Sequence, residues 1–222
     1  MATSVEARVR AQVNPTTQQQ PAPWYRDRNR LAVAAGIALI VIGLVAWFVI
    51  SSGRRKEAFA QRSLNQARSA AEAGNLPLAS SELQKLIQTY GGTEAATEAV
   101  ITLNQVRMVN GQSELAVVGL RDFLKADPDP KYRAPAYGLL GAALENAKKF
   151  PDAGQAFKSA SESATLEYLK ARYLIDAGRA YTSAGKPAEA VAAYRTVIEK
   201  YPNSSSFTEA QVRLAELTDG KM

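Results

Sequence analysis

The chain has 222 residues, 46% of them hydrophobic, which suffices for one ordinary domain plus an appendage. It contains no cysteine and no histidine, which excludes disulfides, thiolate or ordinary zinc sites, Cys-His pairs and Ser-His-Asp triads. The net charge of +6 is uneven: residues 1–68 carry ten Lys/Arg against three acids, and residues 69–222 carry seventeen against eighteen. Anionic lipid headgroups account for the basic part more simply than nucleic acid, because no aromatics interleave with the basic residues.

The first 30 residues are polar, with Gln18, Gln19, Gln20, Pro21 and Pro23 in close succession. Such a tail holds too little apolar surface to offset chain entropy and is predicted to be disordered on its own. Leu31 to Ile50 follow without a charge. At about 1.5 Å per residue this segment makes a helix roughly 30 Å long, the thickness of a bilayer core. A signal-peptide core is only about 7–15 residues long and follows a short basic region. An uncleaved membrane anchor over 31–50 is therefore expected.

The flanks fit that reading. Trp24 and Tyr25 on one side, and Trp47 on the other, are rings suited to the headgroup region, and Arg54, Arg55 and Lys56 can snorkel to phosphates. Ala32, Gly36 and Gly43 fall near one helical face, where small residues permit close helix–helix contact in lipid. Five arginines in the tail favour its retention in the cytoplasm, and long C-terminal domains cross largely regardless of charge. The expected arrangement has residues 54–222 on the far side. Ser51-Ser52-Gly53 is predicted to be a short hinge.

Beyond the hinge the chain repeats. Ala79, Ala116, Ala153 and Ala190 recur at a spacing of 37, each followed four residues later by Leu83, Leu120, Phe157 or Tyr194. Gly74, Gly111, Lys148 and Gly185 precede them in the same register, as do Ala67, Asn104, Gly141 and Gly178. Apolar residues at i, i+3, i+4 and i+7 on both sides of the glycine position predict two helices per copy. In the last copy these run over 171–184 and 187–200, with Pro202 as the stop. The predicted units are 60–92, 97–130, 134–165 and 171–204, with a capping helix over 206–218 in which Ala215 keeps the register of Gly178. The fold class is all-α: one membrane helix, then a solenoid of about four helix pairs plus the cap.

Gly178, Tyr181, Ala190, Tyr194 and Pro202 resemble the small-large-small pattern of a tetratricopeptide repeat, and Tyr137, Gly141, Phe150, Ala153, Phe157 and Ala160 resemble it again. The period exceeds the usual figure of about 34. With Tyr201-Pro202-Asn203-Ser204 it is similar to repeats of bacterial outer-membrane assembly lipoproteins. An N-terminal anchor leading into such repeats also resembles the ancillary subunit of the bacterial secretion translocon.

The resemblance implies a concave face built from the first helix of each unit. Its groove positions would be Leu64 and Arg68, Ile101 and Gln105, Gly138 and Ala142, and Ile175 and Arg179. Exposed apolar residues beside arginines would suit an extended or helical peptide. Asp127-Pro128-Asp129-Pro130 lacks the ligand count of a calcium loop and is predicted to be a turn. No catalytic, cofactor or metal site is expected, and no phosphate-cradling glycine loop occurs.

The function this implies is that of a non-enzymatic accessory or scaffold subunit of an integral-membrane complex, located in a bacterial inner membrane with its repeats in the periplasm. The alternative is a membrane-tethered chaperone or assembly factor for exported or unassembled polypeptides. The partners would be other membrane-complex subunits or polypeptides and the lipid bilayer, and not nucleic acid.

Overall fold

The computed structural model describes residues 28–218, and the expected interface residues Trp24 and Tyr25 lie outside them. Among the described residues there are nine helices and no strand: α1 (Arg28–Glu72), α2 (Leu76–Thr89), α3 (Glu94–Val109), α4 (Ser113–Lys125), α5 (Pro130–Asn146), α6 (Phe150–Ser163), α7 (Glu167–Ser183), α8 (Pro187–Lys200) and α9 (Phe207–Thr218). The chain divides into two compact units, Met1–Ser52 and Gly53–Met222.

In the first unit the apolar stretch of α1 is exposed at every residue from 31 to 50. It belongs to the one helix, among the described residues, long and apolar enough to cross a membrane. A Cβ added at Gly36 or Gly43 would meet nothing within 4 Å, so the small-residue face is open. Trp47 is likewise exposed. The expected hinge is absent: Ser51, Ser52 and Gly53 are helical. A glycine costs about 1 kcal/mol in a helix interior. That is too little to interrupt a long run with no proline that is followed at once by the good helix formers Arg54, Arg55, Lys56 and Glu57.

The second unit is a succession of helix pairs whose breaks share one backbone solution. Gly74, Gly111, Lys148 and Gly185 all adopt the left-handed region, with φ of 79°, 72°, 60° and 68°. Glycine enters it without a Cβ penalty, and Lys148 does so at a cost. The start signals are equally local. Asn75, Thr93 and Asp129 cap α2, α3 and α5 by accepting from Leu78, Ala96 and Lys131 N–H. Pro130 and Pro187 occupy first-turn positions, where a missing N–H costs nothing. Helix α7 begins at Glu167, a turn before the expected 171, because Ala164 and Leu166 are extended and release the chain into the helix there.

Between neighbouring helices, within pairs and between them, rings lie on glycines. An added Cβ on Gly178 would stand 2.5 Å from the Tyr194 ring, one on Gly141 2.7 Å from Phe157, and one on Gly154 2.6 Å from Tyr181. The copy with Asn104 solves the same packing in reverse. Asn104 is 1% exposed. Its amide donates to Val100 O at 2.8 Å, and its Oδ1 accepts from Arg107. The room comes from Gly119 on α4, where a Cβ would lie 2.6 Å from Asn104 Oδ1. In the cap, Ala210 and Leu214 point inward while Val212 is exposed, so the buried stripe of α9 falls one residue before Ala215.

The buried apolar side chains form two clusters, one on α1–α3 around Leu64, Leu83 and Leu86, the other on α4–α9 around Leu120, Phe157 and Tyr194. The start of the unit is stapled to α3. Glu57 Oε2 and Oε1 accept from Glu94 and Ala95 N–H, both at 2.9 Å, where helix N-termini favour a carboxylate. Lys56, expected to reach headgroups, instead donates its ammonium to Gly91 O at 2.8 Å.

Two outcomes test this account in residues 54–222 expressed alone. Lys148→Gly should raise the melting temperature and Gly185→Ala should lower it, each by the equivalent of about 1 kcal/mol. Ala153→Trp and Ala190→Trp, at fully buried positions, should each cost roughly 1–3 kcal/mol or more. Ala192→Trp, two residues on and exposed on the opposite face of the same helix, should change little, and equal losses at 190 and 192 would refute the register.

Candidate partner-binding groove

The first helices of successive pairs are α1, α3, α5 and α7, and two rows of residues were expected to line their groove. One row surfaces. Gln105 and Arg179 are exposed, and Arg68 and Ala142 are half-buried. The other row is mostly sunk. Leu64 is 0% exposed and Ile175 2%, so neither offers a contact, and Ile101 alone of this row stays partly open. Leu64 continues the stripe of Ala60 and Ala67 into the α1–α3 core. Ile175 joins Ala171 and Leu174 in the larger core. Gly138 lies beneath Tyr173 of the next first helix, 2.5 Å from a hypothetical Cβ. Core burial of Leu64 and Ile175, and the Tyr173 ring over Gly138, thus consume most of the row expected to face a ligand.

What remains open is concentrated at the N-terminal end. Two adjoining cavities of about 380 and 400 Å³ share Arg68, Thr102 and Gln105. One extends past Ile101 to Lys131, Tyr132 and Pro135 on α5; the other runs over Ala71, Leu76 and Val106 to Val109. Val109 is 75% exposed, an apolar side chain with no cover. The charged rim is internally matched: Arg68 pairs with Glu98 at 3.0 Å, and Lys131 pairs with Glu94. Glu94 also accepts from the Tyr132 hydroxyl at 3.2 Å. The Lys131 ammonium holds the Glu94 carboxyl below its ordinary range, and burial pushes the Tyr132 phenol up.

At the C-terminal end the row closes on itself. Arg179 donates to Glu145 at 3.3 Å and pairs with Asp176 at 3.1 Å, while Arg172 reaches Asp176 at 3.6 Å. Asp127 pairs with Arg133 at 2.8 Å and Asp129 caps α5, which accounts for both carboxylates of the proline-flanked run. No group of three or more metal-ligating side chains occurs among the described residues. Sequence reasoning missed Glu94, Lys131 and Tyr132. The signal was present in the register, since Glu57, Glu94 and Lys131 stand 37 residues apart. The groove has the apolar floor and paired polar edges that suit a peptide segment.

A family model described as a tetratricopeptide repeat-like domain matches residues 23–219, nearly the whole chain. The chain belongs to this tetratricopeptide repeat-like family. No curated protein matches the sequence. Several solved structures share the fold. A crystal structure of MamA protein has a TM-score of 0.58 at 22% identity over 73% of this chain and 82% of its own. The pilF protein of Pseudomonas aeruginosa has 0.55 at 20%, over 73% and 68%. A tetratricopeptide repeat protein from Parabacteroides merdae has 0.58 at 10%, over 72% and 60%. The tetratricopeptide-like solenoid is a scaffold suited to protein–protein interaction.

Asp176 yields a pH-dependent outcome. Burial lifts its carboxyl above the ordinary value against the opposing pull of Arg179 and Arg172. An acid with a raised folded pKa weakens the fold when ionised; that penalty is full above the folded pKa and fades as pH falls toward the unfolded value. Asp176→Asn leaves Arg179 its Glu145 partner and leaves Arg172, 70% exposed, in solvent. The variant should melt at or above the parent temperature at neutral pH, with the difference shrinking toward pH about 4. A lower melting temperature at neutral pH would show that the ion pairs outweigh burial.

Proposed function

We propose that this chain is a non-enzymatic, membrane-anchored scaffold subunit of an integral-membrane complex, which holds an extended or helical segment of a partner in the groove of α1, α3 and α5. The observation that carries this is the groove itself. Its apolar floor at Ile101, Val106 and Val109 is open at one end of the array, while the corresponding row at the other end is closed by Arg179, Glu145 and Asp176.

The apolar stretch 31–50 is the proposed membrane span. Two features support joining it to the repeats in one functional unit. Its length matches a bilayer core, and the family match begins at residue 23, ahead of the stretch. Ala32, Gly36 and Gly43 would meet a membrane helix of the partner, where small residues let backbones approach. The tail arginines would stay in the cytoplasm of a bacterial cell, with the repeats in the periplasm. One chain would then attach twice, and linked attachments raise avidity through effective concentration.

The test is purification of the full chain in mild detergent with its co-migrating proteins. Ile101→Glu with Val109→Glu should leave the chain in the membrane but remove the partner. Gly36→Leu with Gly43→Leu should reduce the fraction co-migrating. Undiminished co-migration of both double variants would reject the two attachments. Protease added outside spheroplasts should digest the repeats, and their full protection would reverse the orientation.

A further inference from the structure

The residues just beyond the apolar stretch separate into two faces, and only one of them is spent on the fold. At 3.6 residues per turn, Lys56, Glu57, Ala60 and Leu64 share one side of α1. All four are engaged: Lys56 and Glu57 bond the α2–α3 loop and the α3 N-terminus, while Ala60 and Leu64 are fully buried. The opposite side carries Arg54, Arg55, Phe59 and Arg62, all exposed. None of these three arginines has an acidic partner among the described residues, although most other arginines of the unit do. Phe59 is 54% exposed, and the Arg62 guanidinium stands 5.7 Å from its ring centre.

We propose that Arg54, Arg55, Phe59 and Arg62 form a binding face for anionic phospholipid headgroups. The proposal rests on the reading of 31–50 as a membrane span. Charge complementarity and sequence position both point to this occupant. Arg54 follows the last apolar residue, Ile50, by four positions, where a guanidinium can reach the phosphate layer. Three unpaired guanidinium groups on one face offer bidentate donors for phosphodiesters, and an exposed ring beside them prefers the headgroup region to water. The acid nearest in sequence, Glu57, is turned away and bound to two amides. Lys56 is excluded from the face by its bond to Gly91, so the basic cluster seen in sequence acts through its arginines.

The experiment uses the full chain in vesicles, with Trp47 as the reporter in a Trp24→Phe background, since the chain has 2 tryptophans. Quenching by brominated phosphatidylglycerol is compared with quenching by brominated phosphatidylcholine. The expected preference for phosphatidylglycerol is at least about five-fold, the worth of one basic residue at an anionic surface, and it should fall as salt is raised. Arg54→Gln, Arg55→Gln and Arg62→Gln together should bring it to parity, whereas Lys56→Gln should leave it unchanged. Equal quenching by the two lipids in the parent overturns the proposal while leaving the span intact. So does a preference that survives the triple variant or is lost with Lys56→Gln. Absence of quenching by either lipid overturns the span, and the proposal with it.

Discussion

An aromatic ring resting on a glycine holds the later helix pairs at their working distance. With no Cβ at Gly141, Gly154 or Gly178, rings from the neighbouring helix come within contact distance of backbone, and each helix can settle deep into its partner. The tight approach fixes which face of each helix is spent inward. Alanines at 153, 156, 160, 190 and 193 are buried for the same reason: nothing larger fits between backbones so close together. Because the repeat unit cannot bury its apolar stripe alone, each pair relies on the next, and the array ends in a single helix covering the last stripe.

The same closeness determines what is left over for recognition. Where a ring from the following first helix covers a glycine, as Tyr173 covers Gly138, no groove survives. Toward α1 and α3, Leu and Asn replace aromatic and small residues, and the surface stays open around Thr102, Gln105 and Val109. Along the first helices, the groove cavities lie in the part of the array that departs most from its own pattern.

Much of the fold was legible because its determinants are local and periodic. The 37-residue register located the left-handed break even at Lys148, where residue type alone gives no hint. Fold depended on few signals, each repeated. The groove was less legible, because facing outward is a property of neighbours rather than of a residue. Leu64 and Arg68 are four apart on one helix, yet the core takes the first and leaves the second half-exposed. The Asn104–Gly119 exchange was invisible for a related reason: neither residue makes sense until α3 and α4 are brought together. The helical continuation through Ser51-Ser52-Gly53 was missed because composition suggested a break where cooperativity prevailed.

The Asn104–Arg107 contact over Gly119 also sits where the apolar interior changes from one cluster to the other. Hydrogen bonds of this kind give modest net stability but are costly to leave unmade. Both bonds of Asn104 stay within α3, so the joint is crossed by packing: Asn104 fills the space over Gly119, and Met108 of α3 packs against the α4–α9 cluster. In a nearest-neighbour array the weakest interface sets where partial opening begins. Asn104 and Gly119 mark the joint between the two apolar clusters, and a strand of polypeptide lying along α1, α3 and α5 would span both.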